Sequence, residues 1–258
     1  MEIDFTYQER FCGILSAVLT GVSMFNGTAL SDRVAAGLAK NPTRFEEVYQ
    51  GLRADILACR LRPGVKLQIN LIAQELSVSL SGVREALSKL SAEGLVVAEP
   101  QRGFRVAPVS LADLTDLTMT RIDLENLCLA RSIERGGVDW ETAVVASMHR
   151  LSRTAYWAQG DDRRLSDDWA KAHDSFHEAL VSAADSVWRS RIRRSLYHQS
   201  ERYRRLSVPI FPQTRDVQAE HREIGAAVLE RETVRACELM KEHLVLTMDI
   251  IVTGLQLE

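Results

Sequence analysis

The order of helical and strand-like segments over residues 44–107 most constrains how this chain can fold. Apolar residues recur at helical spacing from Val48 to Leu57, and the RPG at 62–64 predicts that this helix ends there. A strand-like KLQI follows, and Asn70 is predicted to cap a short helix, LIAQEL. The break SVS separates it from a further helix, LSGVREALSKLSAEG, and LVVAE, PQRG and FRVAP then predict a two-stranded hairpin. Helix, helix, turn, helix and hairpin are the elements of a winged helix-turn-helix.

The helix after the SVS break has an apolar and a polar face. Val83, Ala86, Leu87 and Leu90 share the inward face, and the opposite stripe is polar. In a helix-turn-helix this polar face meets base edges in the major groove, while the turn and the wing hold phosphates. We therefore predict a DNA interface of seven residues, Ser79, Ser81, Arg84, Ser88, Lys89, Arg102 and Gly103.

Arg84 is the residue predicted to read a base, because a guanidinium makes a bidentate contact with guanine. Arg102 and Gly103 fall at the hairpin tip, where glycine lets the backbone approach the duplex and arginine suits a phosphate or the minor groove. The alternative is that Arg84 pairs with a neighbouring glutamate on a solvated helix, but the turn and the wing favour DNA. Residues 44–107 hold nine Lys/Arg against seven Asp/Glu, so we expect affinity to need two copies of the domain.

The chain beyond the connector PVSLADL has a helical pattern to its end, with no strand pattern and no repeat. The predicted fold class is mainly α, with a winged helix-turn-helix over residues 44–108. An all-helical bundle of six or seven helices is predicted over residues 109–258. Residues 1–43 are interpreted as an N-terminal extension of uncertain role.

Composition excludes several classes of protein. The four cysteines are scattered without a C-x-x-C pair, which excludes a zinc ribbon or thioredoxin site and indicates reduced thiols. The apolar stretch at 10–25 is too short and interrupted to span a bilayer, and acidic residues precede it where a secretory signal needs positive charge. A net charge of -3 argues against a wholly basic nucleic-acid coat protein, although it permits a local DNA-binding face. We expect a cytoplasmic protein with no membrane partner.

Four of the six histidines are predicted to point into the core of the bundle. His173 and His177 lie four residues apart in HDSFHEAL, on the apolar face of one helix. His221 and His243 lie on apolar stripes of two other helices. A single buried histidine is usually a satisfied core residue, but four would each need a buried partner. One divalent metal satisfies them all, since neutral imidazole binds zinc, nickel, copper and iron.

The first domain resembles the DNA-binding domain of GntR-family transcriptional regulators. The matching motifs are L-x-P-G at 61–64, V-R-E-A-L at 83–87, E-G-L-V at 93–96 and R-G-x-x-V at 102–106. The family usually has Arg-Thr-Pro where this chain has Leu-Ser-Gly at 80–82. That departure removes one expected contact, so the family's usual operator sequence is not assumed here.

The bundle resembles the FCD domain of the FadR-like branch of that family. The matching motifs are R-x-x-x-E at 121–125, F-H-x-A-L at 176–180, E-H-R-E-I at 220–224 and M-K-E-H-L at 240–244. In that family three histidines and an acidic residue, four before the first of them, hold a metal.

The resemblance implies that His177, His221 and His243 are metal ligands. His173 stands at the position of the acidic residue and is predicted to replace it, with Asp174 as the alternative ligand. Four histidines favour a softer transition metal over manganese or magnesium, so zinc is the predicted cofactor, with nickel or another such metal as alternatives.

Family pockets of this type bind small organic acids whose carboxylate completes the metal coordination, which implies a carboxylate effector. Arg121 is predicted to hold a second carboxylate, and Arg202 and Tyr203 are predicted as further effector residues. On the helix over 186–206, periodicity predicts that most arginines are in solvent and that five residues face inward: Trp188, Ile192, Leu196, Gln199 and Tyr203. The phrase SERYRRLS resembles regulators of dicarboxylate catabolism, such as the carbon-starvation-induced repressors, and indicates a glutarate-like ligand.

These patterns predict a homodimeric repressor rather than an enzyme. Two winged domains would occupy successive major grooves of palindromic double-stranded DNA, about 34 Å apart. Two alternatives stay open, a metal-responsive regulator without an organic effector and a metal-dependent hydrolase fused to a DNA-binding domain. In the hydrolase, Glu178 or Glu220 would act as base, although the chain has no HExxH order. A purely structural metal is a further possibility.

Overall fold

A computed structural model describes residues 44–207 and 215–255, which form two compact units. The winged unit contains the described residues up to Ile56 and Arg60–Val106, and the helical unit contains Leu57–Cys59 and the described residues from Ala107 onward. The extension predicted for residues 1–43 lies outside the described residues.

The winged unit has three helices and a three-stranded antiparallel sheet in the order β1-β3-β2. Val96 lies opposite Val106, and Leu67 lies opposite Phe104, so the first strand and the wing form one sheet. The elements are α1 (Arg44–Leu57), β1 (Lys66–Leu67), α2 (Ile69–Glu75), α3 (Leu80–Ala92), β2 (Val96–Glu99) and β3 (Gly103–Val106).

The inward face predicted for α3 is confirmed. Val83, Ala86, Leu87 and Leu90 are all 0% exposed, because their spacing places them on one side of the helix. The prediction that Asn70 caps α2 is wrong. The N-cap of α2 is Gln68, whose carbonyl oxygen accepts the Ile72 amide at 3.0 Å. The helix begins before Asn70 because Ile72 and Ala73 are buried within it.

The helical unit has six described helices and one short hairpin. The predicted glycine stop after the first helix is confirmed at Gly136, where a Cβ would lie 2.0 Å from Cε3 of Trp140. The elements are α4 (Leu111–Arg135), α5 (Val138–Arg153), β4 (Trp157–Ala158), β5 (Asp161–Leu165), α6 (Asp167–Val181), α7 (Val187–Ser207), α8 (Val217–Leu229) and α9 (Thr233–Leu255).

The prediction that this unit contains no strand is wrong. Strands β4 and β5 pair antiparallel around Gly160, whose φ of +76° is one that glycine adopts without strain. Leu165 is buried, and the Tyr156 ring packs edge-on against Trp169 with centroids 4.7 Å apart. The hairpin is therefore stabilised by tertiary packing that local periodicity does not report.

Helix α4 is central to the helical unit and packs against α6, α7 and α9. One apolar core joins α4, α5, α6, α8 and α9, with Leu129, Phe176, Leu180 and Ala236 all fully buried. This packing holds the predicted inward faces of α6, α8 and α9 against one another. None of the described helices is long and apolar enough to cross a membrane.

The inward face predicted for α7 is confirmed at Tyr203, which is 1% exposed, but it is wrong at Trp188 and Ile192. Trp188 is 71% exposed and Ile192 is 52% exposed, whereas Arg193 is only 1% exposed. The physical reason is Glu125 on α4, which is fully buried and forms an ion pair with Arg193 at 3.2 Å. A buried carboxylate needs a cationic partner, so the helix presents arginine to the core in place of tryptophan.

Candidate metal centre and DNA-reading face

Four histidine side chains meet inside the helical unit. His173 and His177 come from α6, His221 from α8 and His243 from α9, and all four are buried. One ring nitrogen from each histidine lies within 4.8 Å of the others. The predicted convergence of three helices on one point is therefore confirmed.

Two of these rings are fixed by each other and by aromatic neighbours. His173 Nε2 lies 3.1 Å from His177 Nε2, and His173 Nδ1 lies 3.1 Å from the Tyr197 hydroxyl. The His173 ring also stacks on Trp169, with centroids 4.8 Å apart. The ring of His173 thus presents Nε2 to the other histidines.

His243 is held by a carboxylate on the neighbouring helix. Glu220 Oε2 lies 2.6 Å from His243 Nδ1, and Arg215 donates to both carboxylate oxygens at 2.6 and 2.7 Å. Burial alone raises the pKa of Glu220, but the hydrogen bonds from Arg215 and His243 prevail and lower that pKa to about 2. So weak a base does not fit the role predicted for Glu220 in a hydrolase.

Burial favours the neutral form of all four imidazoles. Burial is the main cause that lowers the pKa of His173, His177 and His221 well below the usual value, and neighbouring histidines lower it further. Burial also lowers the pKa of His243, against the opposing effect of Glu220. Neutral imidazole is the form that binds a metal.

Three buried ring nitrogens of this cluster have hydrogen-bonding capacity that the described residues do not use. Nδ1 of His177 and both ring nitrogens of His221 are buried and have no hydrogen-bond partner among the described residues. Leaving such groups unsatisfied costs about 1–3 kcal/mol each. Four converging neutral nitrogens and these unpaired atoms fit one divalent metal.

Asp174, the alternative ligand, is not a member of this group of metal-ligating atoms. It follows His173 on α6 and is half-buried, and burial and then the Glu178 carboxylate raise the pKa of Asp174. Glu178, the other predicted base, pairs with Arg193 and Arg194. The geometry thus groups His173 with the other histidines and places Asp174 on a charged flank.

Arg121 lies beside the cluster with one donor unused. Its Nε donates to Glu125 at 3.3 Å and its Nη1 to Ser200 at 2.8 Å, while its Nη2 is buried with no partner among the described residues. The guanidinium lies 5.0 Å from the centroid of the Tyr197 ring, whose hydroxyl contacts His173. Tyr197 thus links the predicted carboxylate site to the predicted metal site.

Arg202 and Tyr203 make their hydrogen bonds to the connector, which here means residues 107–110 between β3 and α4, and to the first turn of α4. Arg202 donates to the Ala107 carbonyl, and the Tyr203 hydroxyl donates to Asp113 at 2.5 Å and lies 3.3 Å from the Ser110 amide. Both side chains are buried.

Sequence reasoning missed Arg193 and Arg204. Arg204 pairs with Glu201 and lies 5.2 Å from the centroid of the Trp169 ring, which stacks on His173. Only the periodic placement of arginines on α7 could have indicated these two residues. The apolar side chains of Trp188 and Ile192 favoured a different inward face.

The polar face of α3, which is predicted to read DNA, is solvent-exposed. Ser81, Arg84 and Ser88 lie there, and within the described chain no ion pair or side-chain hydrogen bond engages the Arg84 guanidinium. The alternative that Arg84 pairs with a neighbouring glutamate is therefore not observed. Ser79 caps α3, with its hydroxyl accepting the Gly82 amide at 3.1 Å.

Lys89 and the wing tip complete the predicted DNA interface. The Lys89 ammonium lies 3.6 Å from the centroid of the Tyr49 ring and 3.7 Å from a Glu46 oxygen, so α1 holds it. Arg102 is exposed at the wing tip. Gly103 has a φ of +94°, and a Cβ there would meet nothing within 4 Å, so the turn geometry alone requires glycine.

Comparison with known protein families gives two matches. The model of bacterial regulatory proteins, gntR family, matches residues 44–106, and the FCD domain model matches residues 116–246. The boundary between these matches falls in the connector.

Individual relatives span nearly the whole matched region. The HTH-type transcriptional regulator BphR of Paraburkholderia xenovorans is 38% identical over 89% of this chain and 94% of its own length. The HTH-type transcriptional repressor GlaR of Escherichia coli is 35% identical over 79% of this chain and 93% of its own length. Among solved structures, E. coli McbR/YncC superposes with a TM-score of 0.67 at 17% identity, covering 83% of this chain and 99% of that one.

Proposed function

This chain belongs to the GntR family of bacterial regulatory proteins and is a DNA-binding transcriptional regulator with an FCD domain, and we propose that it is a repressor released by a small organic acid. The acid binds at a divalent transition metal inside the helical unit. The observation that carries this proposal is the four-histidine cluster, with Arg121 and its unused donor beside it.

His173, His177, His221 and His243 would hold the metal, and zinc suits four neutral nitrogen ligands. The bound metal supplies a Lewis-acidic position at which a carboxylate can bind. None of the four ligands is a carboxylate, so an anionic effector provides the negative charge that the site lacks.

Arg121 supplies the second anchor for the acid. Its buried Nη2 has no described partner, and a charge-assisted hydrogen bond to a carboxylate would satisfy it. An acid with two carboxylates can therefore reach the histidine cluster with one and Arg121 with the other.

Helix α7 connects this pocket to the connector, because it has side-chain contacts with both. Tyr197 contacts His173, and Arg202 and Tyr203, a turn or more later, bind Ala107, Ser110 and Asp113. Arg202 and Tyr203 would therefore respond to the effector through the helix: an acid that shifts α7 also moves their contacts with the connector. The connector directly follows β3 of the winged unit in the chain.

The DNA-bound form is proposed to be a homodimer on a palindrome. Ser79, Ser81, Arg84 and Ser88 lie at or near the exposed face of α3, and Arg102 and Gly103 form the wing tip. Exposed Trp188 and Ile192 on α7 and exposed Leu127 on α4 offer apolar surface that a second copy can cover.

The experiment is a titration of operator binding with the protein zinc-loaded or chelated, against dicarboxylates of increasing chain length and a monocarboxylate control. We expect one dicarboxylate to weaken operator binding about tenfold or more, in the zinc-loaded protein only. Arg121→Lys keeps the charge beside Glu125 but removes the guanidinium fork, and should lose this response while retaining operator binding.

Two other results would contradict the proposal. Operator affinity that follows zinc concentration with no effect of any acid would establish the metal-responsive alternative. An acid that binds without changing operator affinity would break the proposed coupling between the two units.

A further inference from the structure

We propose that Tyr197 is the positioning residue that makes His173 a metal ligand, and this inference rests on the proposed metal site. Residue 173 is a histidine at the position where the resemblance predicts a carboxylate. A carboxylate can bind a metal through either oxygen, whereas an imidazole binds only through a nitrogen that carries no proton. A histidine at this position therefore needs a partner that places its proton on the other nitrogen.

The Tyr197 hydroxyl is placed to be that partner. It lies 3.1 Å from Nδ1 of His173, while Nε2 of the same ring faces His177 at 3.1 Å. When Nδ1 carries the proton, its N–H donates to the Tyr197 oxygen, and the Nε2 lone pair is free for the metal. The Trp169 ring, stacked 4.8 Å away, limits rotation of the imidazole.

The hydroxyl also serves the metal-free protein. With no metal, one of the two facing nitrogens of His173 and His177 carries the proton shared across their 3.1 Å contact. If that proton is on His173 Nε2, then Nδ1 becomes an acceptor and the Tyr197 hydroxyl donates to it. A hydroxyl can both donate and accept, so Tyr197 satisfies His173 in both states, which a phenylalanine cannot do.

His243 shows the same arrangement with a different partner. Glu220 accepts from His243 Nδ1 at 2.6 Å and accepts nothing from His173. Each of these two rings thus has its own outer partner, one a carboxylate and one a phenol. The phenol adds no charge, so His173 and its outer partner Tyr197 together stay neutral.

The test is a double-mutant cycle of Tyr197→Phe with His173→Asp. Zinc affinity is measured by competition with a chromophoric chelator, and the Co²⁺ absorption spectrum reports ligand geometry. We expect Tyr197→Phe to weaken zinc binding about 10- to 100-fold in the protein with His173. In the His173→Asp background the same substitution should cost less than about threefold, because a carboxylate needs no tautomer fixed.

Tyr49→Phe is the matched control, since Tyr49 is also buried and hydrogen-bonded, to Glu93, but lies in the winged unit. It should leave zinc affinity unchanged. Wild-type protein that binds zinc while Tyr197→Phe binds equally well, or equal losses in both backgrounds, would overturn the role of Tyr197 alone. Wild-type protein that binds no transition metal would overturn the proposed metal site and this inference together.

Discussion

The winged unit and the helical unit both contain polar groups without partners in the part of the chain that the structure describes, but in opposite surroundings. Arg84 and Arg102, which are predicted to contact DNA, are exposed, so water can satisfy their guanidinium groups. Nδ1 of His177, both ring nitrogens of His221 and Nη2 of Arg121 are buried and have no hydrogen-bond partner among the described residues. The difference indicates a large, charged partner for the first unit and a small, enclosed one for the second. It also implies that losing the partner destabilises only the helical unit.

Removing one of the four histidine ligands should have the largest effect, which is a loss of bound metal, because the ion depends on all four ligands of the buried site. We predict that His221→Ala lowers metal content from about one ion per chain to nearly none. Mass spectrometry of untagged protein measures this. His149→Ala removes an exposed histidine and should keep its metal. Metal retained in His221→Ala would return His221 to the role of a core polar residue.

Acid should destabilise the metal-free helical unit and spare the winged unit. The folded-state pKa values of the four histidines lie below the ordinary value of about 6.5, so the unfolded chain takes up protons first. Stability is therefore greatest above that pH and falls as pH drops below it, by up to about 1.4 kcal/mol per pH unit for each histidine.

Tryptophan fluorescence during denaturant unfolding isolates this effect, since all four tryptophans lie beyond residue 107, as do all six histidines. His221→Leu removes one titrating group and should flatten the pH dependence of the metal-free protein. An unchanged slope in that variant would mean that His221 does not contribute to the acid sensitivity.

In the winged unit, Arg84→Ala should weaken binding to operator sequences selected from random DNA by about 1–3 kcal/mol, or roughly 5- to 150-fold. Nonspecific binding should be largely retained, because the change removes a base contact. Fluorescence anisotropy with operator and scrambled duplexes measures both affinities. An equal loss on scrambled DNA would show that Arg84 contacts phosphate.

The smallest effect is expected for Arg102→Ala at the wing tip. It should weaken all DNA sequences about equally and reduce the slope of log affinity against log salt by about one. Anisotropy titrations from low to moderate salt test this. A loss confined to the operator would instead indicate a minor-groove base contact.

Regular amphipathic segments were predictable from the sequence, and segments with buried charge were not. On α3 the apolar residues face inward, so Val83 and Leu87 were placed correctly. On α7 the same reasoning turned Trp188 inward, whereas the buried side chain is Arg193. One partner of Arg193 is Glu125, 68 residues earlier, and no local pattern connects the two residues.

The sequence by itself determined the two-domain order, the helical periodicity and the inward face of each histidine-bearing helix, because these follow from the spacing of apolar residues along one helix. Tertiary structure alone decided that the rings meet within 4.8 Å, that His173 rather than Asp174 joins them, and that Tyr197 lies behind His173. These are distances between residues far apart in the chain, and they depend on how α6, α7, α8 and α9 pack together rather than on the propensity of any one helix.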